Sequence, residues 1–227
     1  MSRNLMVIGT GTDIGKTYVT ALIVKKLADS GRRAAYYKAA MSGNVRDAAG
    51  KLIPGDAAYV RKTAGIQEPL SVMCPFVYEH AVSPHLASRL EGSPVRYPVV
   101  REGFEALSGV YDFVTMEGSG GILCPLCEDE ERLTLEDVIR RLALPCLLVA
   151  DAGLGTINAV GLTASYMKEK KIPLVGIIFN HYHPGDILEE DNLRMCEKLT
   201  GVPVTACVKD DDKELTLDAE KLAALYC

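Results

Sequence analysis

Residues 9–17 read GTGTDIGKT, and their types and spacing suit one task, holding a triphosphate. Crowded phosphate oxygens are bound by backbone N–H groups at a helix N-terminus, provided that no side chains obstruct the approach. Gly9, Gly11 and Gly15 keep the approach open, Lys16 sets an ammonium on the β- and γ-phosphates, and the Thr17 hydroxyl is placed to take a position on Mg²⁺. A strict G-x-x-x-x-G-K-[ST] loop would have glycine at position 10, where this chain has Thr10, so the early glycine is shifted by one residue. A dinucleotide fingerprint fits less well, because Gly9-x-Gly11-x-x-x-Gly15 has one residue too many and Lys16 would be unexplained. The loop points to a protein that binds a nucleoside triphosphate and moves its γ-phosphate.

Three further residues close strand-like runs or open helix-like ones. Lys38 ends AAYYK and starts the segment that reaches Ser42-Gly43, which would put a cation and a hydroxyl beside the phosphate loop. Taken alone, it also fits a solvated lysine at a strand end. Asp56, after Pro54-Gly55, reads most simply as a helix cap. Glu117 enters Glu117-Gly118-Ser119-Gly120-Gly121, where a carboxylate could hold Mg²⁺ or could simply be exposed in a glycine-rich loop. Cys124-x-x-Cys127 lacks the second ligand pair of a structural zinc site and reads as two thiols in a loop at the site's edge. His181 and His183 read as loop residues facing nucleotide or solvent, and Asp151 as a residue that could assist magnesium through water.

Buried strands must position these groups. The apolar runs 5–8, 34–37, 113–116, 146–150 and 174–179 are short and separated by helical patterns over 17–30, 56–63, 83–90, 101–107, 134–142, 156–170 and 188–199. Such alternation predicts a mainly parallel sheet with helices on both faces, in a single P-loop NTPase-like α/β domain over residues 1–227. Residues 40–54 and 118–132 read as long loops, where ligands bind at the carboxyl ends of strands. A net charge of −5 with no basic run longer than KEKK at 168–171 argues against nucleic acid. No apolar stretch reaches about 18 residues and no leader is evident, so the expectation is a cytoplasmic protein without a membrane partner. Its seven cysteines fit reduced thiols.

With these residues in place the chain resembles the dethiobiotin synthetases, enzymes of biotin synthesis that close a ureido ring on diaminononanoate with CO2 and ATP. The carriers are the shifted loop, Tyr37-Lys38-x-x-x-Ser42-Gly43, Asp56, Ser83-Pro84-His85, Glu117-Gly118-x-Gly120-Gly121 with Pro125-Leu126, Gly155-Thr156-Ile157-Asn158, and Asn180. The family carries the same offset glycine. Gly11, Asp13 and Ala39 stand where it more often has aspartate, glutamate and proline, and Val208-Lys209 replaces an Ile-Pro pair in its nucleotide-base loop.

The resemblance implies that Lys16 and Lys38 stabilise charge on the transferring phosphate and the carbamate, and that Thr17, Asp56 and Glu117 hold Mg²⁺. It implies ATP contacts from Asp13, Ile14, Gly15, Lys16, Thr17 and Tyr18, from Asp56, Glu117, Gly118, Ser119 and Gly120, and from Asn180 at the adenine. Thr12, Ser42 and Gly118 would meet the diamine or its carbamate. Gly155, Thr156, Ile157 and Asn158 would bind its carboxylate across a homodimer interface, which agrees with the preference of helix N-termini for anions. The rival reading is a ParA- or MinD-like ATPase switch, whose loop carries an additional early lysine where this chain has Thr10 and Gly11. A GTP switch would show Asn-Lys-x-Asp, and Asn180-His181-Tyr182-His183 differs from it.

Overall fold

The protein is described here by a computed structural model covering residues 2–129 and 131–227. β1 (Arg3–Gly9) leads through the phosphate loop into α1 (Lys16–Asp29) and then β2 (Ala34–Lys38). A smaller subassembly follows. It comprises β3 (Ala40–Met41), the hairpin of β4 (Val45–Arg46) and β5 (Leu52–Ile53), α2 (Gly55–Ala64), α3 (Leu70–Met73), β6 (Phe76–Val77), α4 (Pro84–Leu90) and α5 (Tyr97–Ser108). The chain then re-enters the sheet at β7 (Phe113–Gly121), leaves by the ribbon of β8 (Pro125–Cys127) and β9 (Leu133–Thr134), and runs through α6 (Leu135–Arg141) to β10 (Cys146–Asp151). It ends with α7 (Thr156–Glu169), β11 (Leu174–Asn180), α8 (Ile187–Thr200), β12 (Val204–Cys207) and α9 (Ala219–Ala223).

Six strands pair in parallel in the order β12-β11-β10-β1-β7-β2. Alternate residues feed opposite faces, because side chains along a strand alternate. Met6, Ile8, Met116, Leu148 and Phe179 pack with Phe104 of α5, Val138 of α6, Val160 of α7 and Cys196 of α8. Leu5, Val7, Tyr36, Val149 and Ile178 pack on the other side with Leu22 and Leu27 of α1, Val60 of α2, Met73 of α3 and Leu222 of α9. Both faces are therefore covered, which explains the near-continuous apolar runs and confirms the expected α/β class.

Two expected loops carry structure. Residues 40–54 hold β3 and the β4–β5 hairpin, turned through Gly50 at φ 78° with Asp47 Oδ1 accepting from the N–H groups of Ala49 and Lys51. Within 118–132, β7 continues to Gly121 and the β8–β9 ribbon follows, apart from Glu130, which lies outside the described residues. The glycines at the end of β7 extend the strand rather than break it: a Cβ on Gly118 would lie 2.6 Å from Leu135 Cδ2, so the strand passes under α6 only without a side chain. Edge strand β12 and helices α3 and α9 are short and were not foreseen in the apolar pattern. No helix among the described residues is long and apolar enough to cross a membrane.

Gly176 in β11 marks a second close approach, since a Cβ there would sit 2.5 Å from Thr205 Cγ2 and 3.1 Å from Leu147 Cδ1. Neighbouring strands on both sides would have to give, and Thr205 is β-branched and stiff. Gly176→Ala is expected to lower unfolding free energy by about 1–3 kcal/mol in urea titration. An unchanged midpoint would show that the sheet absorbs the methyl group.

Candidate functional site

The carboxyl ends of β1, β2 and β7 open on a cavity of about 770 Å³, with the phosphate loop on one side and residues 41–43 and 81–84 on the other. The loop's conformation is fixed by two glycines. Gly15, the N-cap of α1, has φ 78°, and a Cβ there would stand 2.1 Å from Asn180 Nδ2. A Cβ on Gly9 would come within 2.7 Å of Ile14 Cδ1 and 2.8 Å of Lys16 Cδ. Gly11 differs, having nothing within 4 Å of a built Cβ, so the protein's own packing does not require glycine there. The first N–H groups of α1 lack intrahelical partners and face the cavity mouth, the arrangement that favours phosphate.

Lys16 lies in the cavity wall, 8% exposed, with Nζ donating to the Gly11 carbonyl at 2.6 Å. Lys38 is not a solvated strand-end lysine: it is 5% exposed and donates to Glu117 Oε1 and Asp56 Oδ2, each at 2.6 Å. Glu117 is not exposed either. At 1% exposure, it accepts from Thr17 Oγ1 at 2.8 Å, Lys38 Nζ and, through Oε2, Tyr36 Oη at 2.9 Å. Asp56 departs from the capping reading, because α2 begins with Pro54 as N-cap and no side-chain cap, and the Asp56 carboxylate reaches Lys38 instead. Thr17, Lys38, Asp56 and Glu117, from α1, β2, α2 and β7, thus form one hydrogen-bonded chain.

The charges of the two lysines are set in opposite directions. Burial and the nearby Lys38 ammonium lower the Lys16 pKa from 10.5, and Glu117 and Asp56 restore only part of it. Burial also works against the Lys38 ammonium, but Glu117 and Asp56 outweigh it and raise that pKa above 10.5. Tyr36 is raised well above 10.0 by burial and by the Glu117 charge, so its hydroxyl remains a donor.

Two carboxylates joined through Lys38, with the Thr17 hydroxyl bonded to one of them, make an all-oxygen donor set of the kind Mg²⁺ prefers. Among the described residues no three His, Cys, Asp or Glu side chains gather as a cage. The set therefore suits an ion that takes its remaining ligands from water and phosphate, as Mg²⁺ does.

The other expected residues divide between the cavity and places apart from it. Thr12, Asp13, Ser42, Ser119 and Gly120 line the cavity, with Ser119 Oγ donating to the Ala40 carbonyl at 2.8 Å. Gly118 lies one residue behind, buried under Leu135. Asn180 Nδ2 donates to the Ile14 carbonyl at 3.1 Å, and its buried Oδ1 has no partner among the described residues. Tyr18 Oη donates to the carbonyls of Lys209, at 3.3 Å, and Asp212, tying the 209–212 loop to the start of α1. Gly155, Thr156, Ile157 and Asn158 stand apart, at the start of α7 and outside the cavity lining. Leu154 beside them is 91% exposed, and the buried Thr156 Oγ1 has no partner.

The paired thiols separate: Cys124 lines the cavity, its pKa pushed up to about 11 by burial despite Lys16 and Lys38, whereas Cys127 is fully buried in the core. Asp151 is engaged away from the centre, with Oδ1 accepting from Gly153 N–H at 2.8 Å and Oδ2 meeting His181 Nδ1 at 2.7 Å. His183 Nδ1 meets Glu189 Oε1 at 2.9 Å. Sequence reasoning missed Tyr36, which reads as an ordinary strand aromatic, and the wall at Ala81 and Val82; the wall's only signal was the adjoining Ser83-Pro84.

A family model described as an AAA domain matches residues 3–215. The chain is 42% identical over 226 residues to the ATP-dependent dethiobiotin synthetase BioD of Clostridium botulinum (strain Loch Maree / Type A3), covering 100% of this chain and 99% of that protein. It is 39% identical over 227 residues to the protein of the same name from Brachyspira hyodysenteriae, covering 100% of each. Among solved structures it is similar to a ParA family ATPase of Chlorobium tepidum, with TM-score 0.58, 15% identity and coverage of 93% of this chain and 86% of that one. The septum site-determining protein MinD of Pyrococcus horikoshii, complexed with Mg-ADP, gives TM-score 0.54 at 15% identity over 99% and 94% of the two chains. At such identity the structural likeness is one of fold.

The opposed shifts give a pH signature. As pH rises, Lys16 loses its proton at a pKa below 10.5 while Lys38 keeps its own, so nucleotide affinity should fall along a single alkaline limb set by Lys16. Calorimetric titration with ATP from neutral to alkaline pH should show that limb in the native chain. It should vanish in Lys16→Arg, whose guanidinium stays charged. A limb that persists in an arginine variant still able to bind ATP would assign it elsewhere.

Proposed function

The chain belongs to the dethiobiotin synthetase family and is an ATP-dependent ligase of biotin biosynthesis, and from that premise we propose how its own residues close the ring. The substrates on this reading are diaminononanoate, CO2 and ATP. One amine lone pair attacks the carbon of CO2 and, after loss of a proton to water, leaves a carbamate. A carbamate oxygen attacks the γ-phosphorus and ADP departs, giving a carbamic-phosphoric anhydride. The second amine attacks the anhydride carbonyl, phosphate leaves, and the ureido ring closes.

No protein nucleophile is needed; positioning, charge neutralisation and exclusion of water suffice. The observation that carries the proposal is the meeting of Lys16, Lys38, Thr17, Asp56 and Glu117 at one side of a cavity whose other side is formed by residues 41–43 and 81–84. Lys16 holds the β- and γ-phosphates, and Lys38 faces the carbamate and the transferring phosphoryl group. Thr12 and Ser42 contact the diamine, and the open backbone at Gly118, Ser119 and Gly120 lies along both. Thr17, Asp56 and Glu117 would hold Mg²⁺, which supplies neutralisation of phosphate charge when bound.

Asp13, Ile14, Gly15 and Tyr18 flank the nucleotide. The unpartnered Oδ1 of Asn180 supports a role as acceptor for the adenine amino group, with the amide's orientation set by the Ile14 carbonyl. The start of α7, at Gly155, Thr156, Ile157 and Asn158, takes the substrate carboxylate of a second subunit in a homodimer. Its place outside the cavity and the exposed Leu154 and Leu162 beside it support that reading. On this reading each subunit is one domain, residues 1–227. The ParA- or MinD-like switch finds no support beyond shared fold.

With bicarbonate, Mg²⁺ and ATP, phosphate release should require the diamine and yield a product heavier by one carbonyl less two hydrogens; release that ignores the diamine would overturn the assignment. Lys38→Ala should retain ATP binding and lose turnover by about 10²- to 10³-fold, as expected when a preorganised cation is removed. Near-normal synthesis by that variant would remove Lys38 from the reaction. Asp56→Asn and Glu117→Gln should each raise the Mg²⁺ concentration for half-maximal rate. An unaltered magnesium dependence in both would dissociate these carboxylates from the metal.

A further inference from the structure

Asn44 is the residue at which three parts of the cavity wall meet. Its side chain is 6% exposed, and Nδ2 donates to the carbonyls of Met41 at 2.9 Å and Tyr78 at 2.8 Å. Its Oδ1 accepts from the N–H of Gly55 at 2.9 Å. The amide thus uses both donor hydrogens and an acceptor lone pair, a combination that only Asn and Gln side chains offer. Met41 and Tyr78 lie on the two-stranded β3–β6 unit that leads to the cavity's far wall, and Gly55 is the first residue of α2.

Helix α2 needs such an outside partner. Its N-cap is Pro54, no side chain of the helix start caps it, and its initial N–H groups have no intrahelical acceptors. The segment joining Asn44 to Gly55 is the β4–β5 hairpin, whose β4 is exposed and whose Val45 is 73% accessible, so on that side burial is confined to half-buried β5 and to Pro54. The Asn44–Gly55 bond closes the hairpin at its root. Asp56 comes next in the chain, its N–H donating to Met41 Sδ at 3.3 Å and its Oδ2 bonding Lys38 Nζ at 2.6 Å.

We infer that Asn44 is the positioning residue for Asp56: it clamps the start of α2 to the β3–β6 unit so that the Asp56 carboxylate reaches Lys38 and the cation that accompanies the nucleotide. The contact to Lys38 stands on geometry alone, whereas the link to the cation rests on the reading of Asp56 proposed above. Asn44 does not line the cavity; it acts through the helix start.

Two variants test this from opposite sides of one bond. Asn44→Ala removes the amide, and Gly55→Pro removes the N–H it accepts while placing proline where a helix start tolerates it best. A crystal structure of either variant decides the positioning itself: a Lys38–Asp56 separation beyond hydrogen-bond reach supports it, and the same 2.6 Å contact overturns it. For the cation, calorimetry of ADP binding at varied Mg²⁺ should show each variant needing about 3- to 10-fold more Mg²⁺ through loss of the Asn44–Gly55 bond that both variants remove, the effect of one hydrogen bond. Adding Asn44→Ala to Asp56→Asn should then change little further. Equal effects with and without the Asp56 carboxylate would overturn the inference. No effect of Asp56→Asn itself, with the Lys38 contact still broken in Asn44→Ala, would overturn the metal reading and leave the positioning standing. If Asn44→Ala does not fold, Gly55→Pro carries both measurements.

Discussion

A carboxylate buried at the end of a central strand is the constraint around which the rest of the site is arranged. Glu117 is almost fully removed from water, and an ionised carboxyl group so placed must be paired and hydrogen-bonded to persist. Lys38 from β2, Tyr36 two residues earlier on the same strand, and Thr17 from the first turn of α1 satisfy it together. Each partner fixes an element. β2 must pair beside β7, as the Lys38–Glu117 register records, and α1 must start where the Thr17 hydroxyl can reach across. The strand order that puts β7 between β1 and β2 is what allows this group to form.

Pairing also divides labour between two cations that would otherwise be alike. Lys38 carries two carboxylates, so its charge is locked in before any ligand arrives, whereas Lys16 rests on a backbone carbonyl, without a carboxylate of its own. An anion entering the cavity thus meets one ammonium already balanced and another whose charge is poorly compensated. The pull on that anion comes chiefly from Lys16.

The phosphate loop and the central strands were legible because their signals are local: glycines at fixed offsets, Gly-Lys-Thr before a helical period, short runs of buried apolar residues. The partners of Lys38 were not, since Asp56 is 18 residues away and Glu117 is 79, and spacing along the chain says nothing about that meeting. Asp56 shows the difficulty well. A helix start behind Pro-Gly is a sound expectation, and the helix is there, but the carboxylate is drawn off by a stronger partner than the backbone N–H groups. Tyr36 and Asn44 escaped notice because one has the look of core and the other of a loop. The glycines after Glu117 suggested irregular chain, yet they serve close packing under α6. The short edge strand β12 and helix α9 offered too few residues for a period to emerge.

Asn180 and Gly15 approach so closely that neither position is free of the other. The amide of Asn180 occupies the space a side chain at 15 would need and is bonded to the carbonyl just before it. The end of β11 and the phosphate loop are therefore joined directly, although the bonded pair is 166 residues apart in sequence. A side chain added at position 15 therefore requires a change at position 180 as well. An insertion or deletion in the intervening chain that shifts the end of β11 against the loop would break that one contact.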